Sequence, residues 1–61
     1  MEPRIVGLPK EVAQSQCEES GFRMRIVEED GEARVGTMEY RANRINVIVR
    51  DGRVQEVTGI G

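Results

Sequence analysis

Two stretches of alternating apolar residues, Phe22-Met24-Ile26 and Ile45-Val47-Val49, are separated by a run from Glu28 to Asn43 that keeps neither a helical nor a strand period. That gap constrains the fold more than any other feature. A short link forces two strands to run antiparallel, whereas a dozen or more residues let them lie side by side in parallel. The expected architecture is therefore an α+β domain, with one helix packed on a small mixed sheet and a parallel strand pair bridged by a long exposed loop. In a chain of 61 residues such a loop is normally either disordered or functional. Arg44 at its base points to function.

The remaining pattern fills in the other elements. Ile5 and Val6 read as an entry segment or brief edge strand ending at Gly7. Leu8-Pro9 opens a helix, because proline fits a first turn where its missing donor costs nothing, and Glu11 suits the positive end of the helix dipole. Val12, Ala13, Cys17 and Gln16 form its inward stripe, and Ser20-Gly21 ends it, with Gly21 free to take a left-handed cap. Asp51-Gly52 is a hairpin signal leading to a last strand from Val54 to Val57 and a tail from Thr58 to Gly61. The acidic run Glu28, Glu29, Asp30 reads as a solvated loop face. It lacks the alternating oxygen ligands and later glutamate of a calcium loop.

Composition removes several classes of function. Eleven acidic and nine basic residues leave a net charge of −2, and eight of the nine basic residues are arginine, so no uniform field calls for a nucleic acid or an anionic membrane. There is no Trp, one Tyr and one Phe, too few for a base-stacking surface. No apolar run approaches a membrane span. With no histidine and Cys17 as the lone cysteine, neither an intrachain disulfide nor a metal cluster is expected, and Cys17 reads as a small buried hydrophobe. No nucleophile and base pair suggests an enzyme, and no cofactor is implied. If Met1 is the native start, a cytoplasmic location is expected; a mature fragment of an exported precursor would be secreted or periplasmic.

Within the gap, Thr37-Met38-Glu39-Tyr40-Arg41 precedes the strand that begins at Arg44. Met38 is a soft apolar side chain bracketed by two side chains bearing oxygens, Thr37 and Glu39. Arg44 follows Glu39 by five residues, and its planar fork can reach back toward both oxygens at once, which a lysine cannot do. A loop stiffened from beneath loses little entropy when a partner grips its outer edge.

These segments, together with Gly7, the helix, Arg44-Ile45-Asn46-Val47, Asp51-Gly52-Arg53-Val54 and the glycine-terminated tail, resemble the potato inhibitor I type of serine protease inhibitor, with its eglin-like fold. The likeness is to the small microbial elastase-inhibitor branch. It runs over nearly the whole chain from Gly7, being specific at the loop and the following strand and weak across the helix. The resemblance implies a wedge-shaped domain whose loop, Gly36, Thr37, Met38, Glu39, Tyr40 and Arg41, occupies the active site of a subtilisin-like or chymotrypsin-like protease. It places Met38 in the primary specificity pocket, with the scissile bond between Met38 and Glu39. Arg44 and Asn46 are then the loop support, Asn46 standing where the family commonly has a second arginine and the microbial branch often has asparagine. Support then leans on Arg44, with Arg41 as a substitute if it folds inward. Gly36 adds backbone freedom just ahead of the reactive residue.

Two other readings stand beside this one. The first is a small binding or assembly module that keeps the fold but recognises a non-protease partner through the same loop. The second is nucleic-acid binding by a cluster of Arg34, Arg41, Arg44, Arg50 and Arg53, against which net charge and missing aromatics argue.

Overall fold

The computed structural model describes residues 3–34 and 39–61. One helix, α1 (Lys10–Glu19), is followed by four strands: β1 (Arg23–Glu29), β2 (Glu32–Ala33), β3 (Arg44–Arg50) and β4 (Arg53–Ile60). They form a single mixed sheet in the order β2-β1-β3-β4. The domain is thus α+β, with the helix on one face of the sheet.

Pro9 is the N-cap of α1 rather than a residue of its first turn, and its carbonyl accepts the first helical bond, from Ala13 N–H at 2.9 Å. The unpaired Lys10 N–H is satisfied by the Gly52 carbonyl at 2.9 Å, which ties the helix start to the β3/β4 turn. Only Ala13 and Cys17, one turn apart, are buried on the helix. Their small side chains let the helix backbone approach the sheet. Val12 and Gln16 are exposed, so the inward stripe is narrower than the apolar pattern suggested; Val12 lies a full 100° around the axis from Ala13. At the C-terminus Phe22 N–H bonds the Cys17 carbonyl at 2.8 Å and Gly21 N–H that of Glu18 at 3.1 Å, with Gly21 at φ +82°. This is the paired closure that a left-handed glycine permits.

The parallel pair exists as the gap implied: β1 runs beside β3 with Met24 opposite Ile45 and Ile26 opposite Val47. β3 and β4 pair antiparallel through Asp51-Gly52, with φ of +52° and +75°, the mirror-image turn that matches strand twist. A second turn of the same kind lies in the supposedly unpatterned gap. Asp30 (φ +50°) and Gly31 (φ +84°) fold β1 back onto β2, so the gap begins with a hairpin and β1 extends through Glu28 and Glu29. The two turns are joined, as Asp51 N–H donates to the Asp30 carboxylate at 2.8 Å. The final strand also outruns its expected length, reaching Ile60 where the sequence pattern predicts a tail. Irregular register opposite Val47 and Val49 breaks the alternation that would have revealed it.

The core comprises Ile5, Ala13, Cys17, Ile45, Val47, Val49 and Val54, with Leu8, Phe22, Met24, Ile26, Val57 and Ile60 packed around it. Ile5 belongs to no strand. It is buried because Gly7 N–H bonds the Val54 carbonyl at 2.8 Å and Val54 N–H the Leu8 carbonyl at 2.9 Å, holding residues 5–8 against the start of β4.

Cys17 is fully buried, and burial, followed by the charge of Glu18, raises its thiol pKa. Native protein is therefore expected to react with thiol reagents far more slowly than denatured protein. Cys17→Ser should cost about 1–2 kcal/mol by placing a hydroxyl in an apolar site. Labelling of the native chain at the rate of a free peptide thiol would contradict this placement.

The acidic run is not a uniformly solvated face. Glu29 keeps only 14% of its side chain exposed, accepting a 2.8 Å bond from Lys10 Nζ on α1 and pairing with Arg34 beyond β2. The Lys10 hydrogen bond is the main cause lowering the Glu29 pKa from the ordinary 4.5. A depressed folded pKa means that the clamp stabilises above pH 4.5 and that this contribution is lost as pH falls through the lower folded value. Glu29→Gln is expected to flatten the acid limb of the Tm–pH curve relative to the parent. Identical acid limbs would show that the clamp contributes nothing to stability.

Candidate functional site

The link into β3 is organised around one guanidinium. Arg44 is half-buried at the first position of β3, and its Nη2 donates to the Glu39 carbonyl at 2.6 Å and to the Gly61 main-chain oxygen at 2.6 Å. Its Nε also donates to Gly61 O, at 3.1 Å, while Gly61 N–H returns a bond to the Arg44 carbonyl at 3.0 Å. One rigid plane therefore couples the loop's C-terminal shoulder to the end of β4. Nearer the strand, Arg44 N–H bonds the Arg41 carbonyl at 3.3 Å and Arg23 N–H bonds the Asn43 carbonyl at 2.7 Å, closing a turn over residues 41–44.

A second arginine reinforces the same oxygen. Arg25 Nη2 donates to Gly61 O at 3.4 Å, and its Nε donates to Asn46 Oδ1 at 2.9 Å. Parallel register makes this possible by setting Arg25 directly beside Asn46. Tyr40 is exposed, but its ring edge stands close to Gly61: a Cβ built on the glycine would meet Tyr40 Cδ2 at 3.5 Å.

These contacts revise the expected roles. Arg44 meets Glu39 at the main-chain carbonyl, with no bond to its carboxylate among the described contacts. That carboxylate is taken by Arg41, whose Nε donates to Oε1 at 2.6 Å. Asn46 orients Arg25 and makes no bond to Glu39, Tyr40 or Arg41 among the described contacts. Gly36, Thr37 and Met38 lie outside the described residues. Two participants escaped the sequence reading, Arg25 and Gly61. The alternation of β1 set against that of β3 could have paired Arg25 with Asn46; the glycine-terminated tail belongs to the resemblance, but nothing in the sequence shows that Gly61 O accepts from Arg25 and Arg44.

The charges follow from the geometry. The Glu39 pKa is lowered chiefly by the hydrogen bond and charge of Arg41, so the carboxylate is ionised at neutral pH. The Arg44 pKa is lowered first by burial and then by the neighbouring charge of Arg25, against the opposing effect of Glu39. Its main-chain acceptors supply the oxygens that a half-buried guanidinium needs.

The other arginines are dispersed. Arg34 is held by Glu29, Arg53 Nη1 donates to the Gly7 carbonyl at 3.0 Å, and Arg50 faces Arg53 across the hairpin end. Of the five arginines that could have formed a basic cluster, only Arg41 and Arg44 come together here. Chemically, the site is a scaffold: it fixes a backbone carbonyl and a carboxylate immediately after Met38. Comparison with family models finds no match to this chain, nor does comparison with characterised proteins or with solved structures.

Proposed function

We propose that the chain inhibits serine proteases of subtilisin or chymotrypsin type in a substrate-like manner, through residues 36–41, with the scissile bond between Met38 and Glu39. The observation that carries this reading is the bond from Arg44 Nη2 to the Glu39 carbonyl at 2.6 Å, because it secures the residue that would become the leaving group.

The protease serine would attack the Met38 carbonyl, with the oxyanion donors stabilising the developing charge. Collapse of the tetrahedral intermediate breaks the peptide bond, giving a Met38 ester on the serine and a free Glu39 amine protonated by the protease histidine. In an ordinary substrate that amine diffuses away and water enters. Here the carbonyl of the same residue is held to β3 by Arg44, so the amine stays within reach of the ester. Returning its proton to the histidine, it attacks the ester carbonyl and remakes the peptide bond before hydrolysis. High effective concentration of a tethered nucleophile is the physical basis.

Titration of subtilisin, chymotrypsin, elastase and trypsin with the purified chain tests the reading. Competitive inhibition of enzymes that accept a medium apolar side chain, with weak inhibition of trypsin, is expected. Prompt degradation by all four without inhibition would sink it.

A further inference from the structure

Beside the loop shoulder, Arg23, Arg41, Asn43 and Arg44 line an open hollow of about 340 Å³. No acidic side chain is among the described residues of its wall. The whole chain carries a net charge of −2, whereas the three arginines of this wall keep an excess of positive charge even with the Glu39 carboxylate bonded to Arg41.

The fold itself concentrates the charge. Parallel register sets Arg23 directly beside Arg44 and Arg25 beside Asn46, and the bond from Arg23 N–H to the Asn43 carbonyl draws the 41–44 turn against β1. Like charges on adjacent strands repel. Burial does most to lower the Arg44 pKa, and the charges of Arg25 and Arg41 lower it further.

Internal acceptors satisfy only part of this donor set. Arg44 spends Nε and Nη2 on Glu39 O and Gly61 O, and Arg41 spends Nε on Glu39. Arg44 Nη1, both Nη atoms of Arg41 and the whole Arg23 guanidinium have no acceptor among the described residues. The unused donors belong to three separate guanidiniums whose residues line one concavity, together with Asn43.

We propose that this hollow binds a tetrahedral dianion of the phosphate or sulfate class. A carboxylate presents two oxygens in one plane and suits a single fork. A tetrahedral dianion turns oxygens in several directions and carries the second charge needed to offset neighbouring cations. The inference does not rest on the proposed inhibition, because it is read from anion binding alone, although Arg41 and Arg44 serve both the hollow and Glu39.

The test is an amide NMR titration with sodium phosphate at about pH 7.5, where phosphate is mostly dianionic. Sulfate serves as a second probe and chloride as the control at matched ionic strength. Saturable shifts centred on Arg23, Arg41, Asn43 and Arg44 are expected with both dianions and not with chloride. Arg23→Gln should weaken binding about tenfold, the effect of one charge-assisted contact, while Arg50→Gln, which removes the same charge at the far hairpin end, should leave it unchanged. O-phosphoserine binding alongside inorganic phosphate would extend the site to phosphoryl esters; binding of the inorganic ions alone would confine it to the free ions, and either result supports the site. Unsaturable shifts equal to those of chloride, or equal weakening by Arg23→Gln and Arg50→Gln, would overturn it. A folded spectrum for each variant keeps the comparison valid.

Discussion

Arg44→Ala is expected to convert the proposed inhibitor into a substrate. The side chain makes the bond that holds Glu39 by its carbonyl and two of the bonds that hold Gly61, and alanine replaces none of them. Once the shoulder is released, the Glu39 amine leaves the ester after the first acyl transfer, and water completes hydrolysis. Misplacement of a reacting group by about 1 Å costs on the order of 10²-fold in rate, so resynthesis should fall, and net cleavage between Met38 and Glu39 rise, by about that factor. The variant should still fold, because Ile45, Val47, Val49 and Val54 remain buried, although the end of β4 should exchange its amides faster. The measurement is the time course of residual protease activity with mass analysis of the products. Inhibition as tight and as durable as the parent's would show that Arg44 does not restrain the loop.

Met38→Lys tests the other half of the proposal, the identity of the residue that selects the enzyme. A charged ammonium in an apolar specificity pocket loses its hydration without gaining a partner, so inhibition of chymotrypsin-like enzymes should weaken by at least about 10²-fold. Trypsin-like enzymes, whose pocket carries an acid, should gain inhibition at the same time. Stability should hardly change, since a side chain that fills a protease pocket cannot also fill the core of its own chain. A reciprocal exchange of preference is not expected of an assembly module with a non-protease partner. Unchanged protease preference, with cleavage confined to bonds other than Met38–Glu39, would mean that the reactive bond is assigned wrongly.

What could be read from the chain depended on whether the information was local. The alternation of Met24 and Ile26 with arginines, and of Ile45, Val47 and Val49 with Asn46 and Ile48, exposed both central strands, and the length between them exposed their parallel pairing. Asp51-Gly52 was readable because apolar alternation flanks it. Asp30-Gly31 makes the same turn, but its flanks are Glu28-Glu29 and Glu32-Ala33, and what makes those residues strand is main-chain pairing with each other and with the distant Ile48 and Val49 of β3. The role of Arg44 was half visible. Its position at the base of the loop was plain, but its acceptors are main-chain oxygens of Glu39 and Gly61, which no residue type announces. Val12 misled because an apolar residue beside Ala13 looks inward until the helix axis is placed over the sheet.

The outer margin of β4 bears on how the molecule behaves in company. An uninterrupted edge strand offers a row of free donors and acceptors onto which another chain can add, and so nucleates stacking at high concentration. Along β4 that row is interrupted twice over. Residues 5–9 occupy it at Arg53 and Val54 through main-chain bonds and the bridge from Pro9, and the irregular register near Gln55 and Thr58 twists what remains away from a flat template. The domain is thereby poorly suited, along this margin, to recruiting copies of itself into a growing fibre.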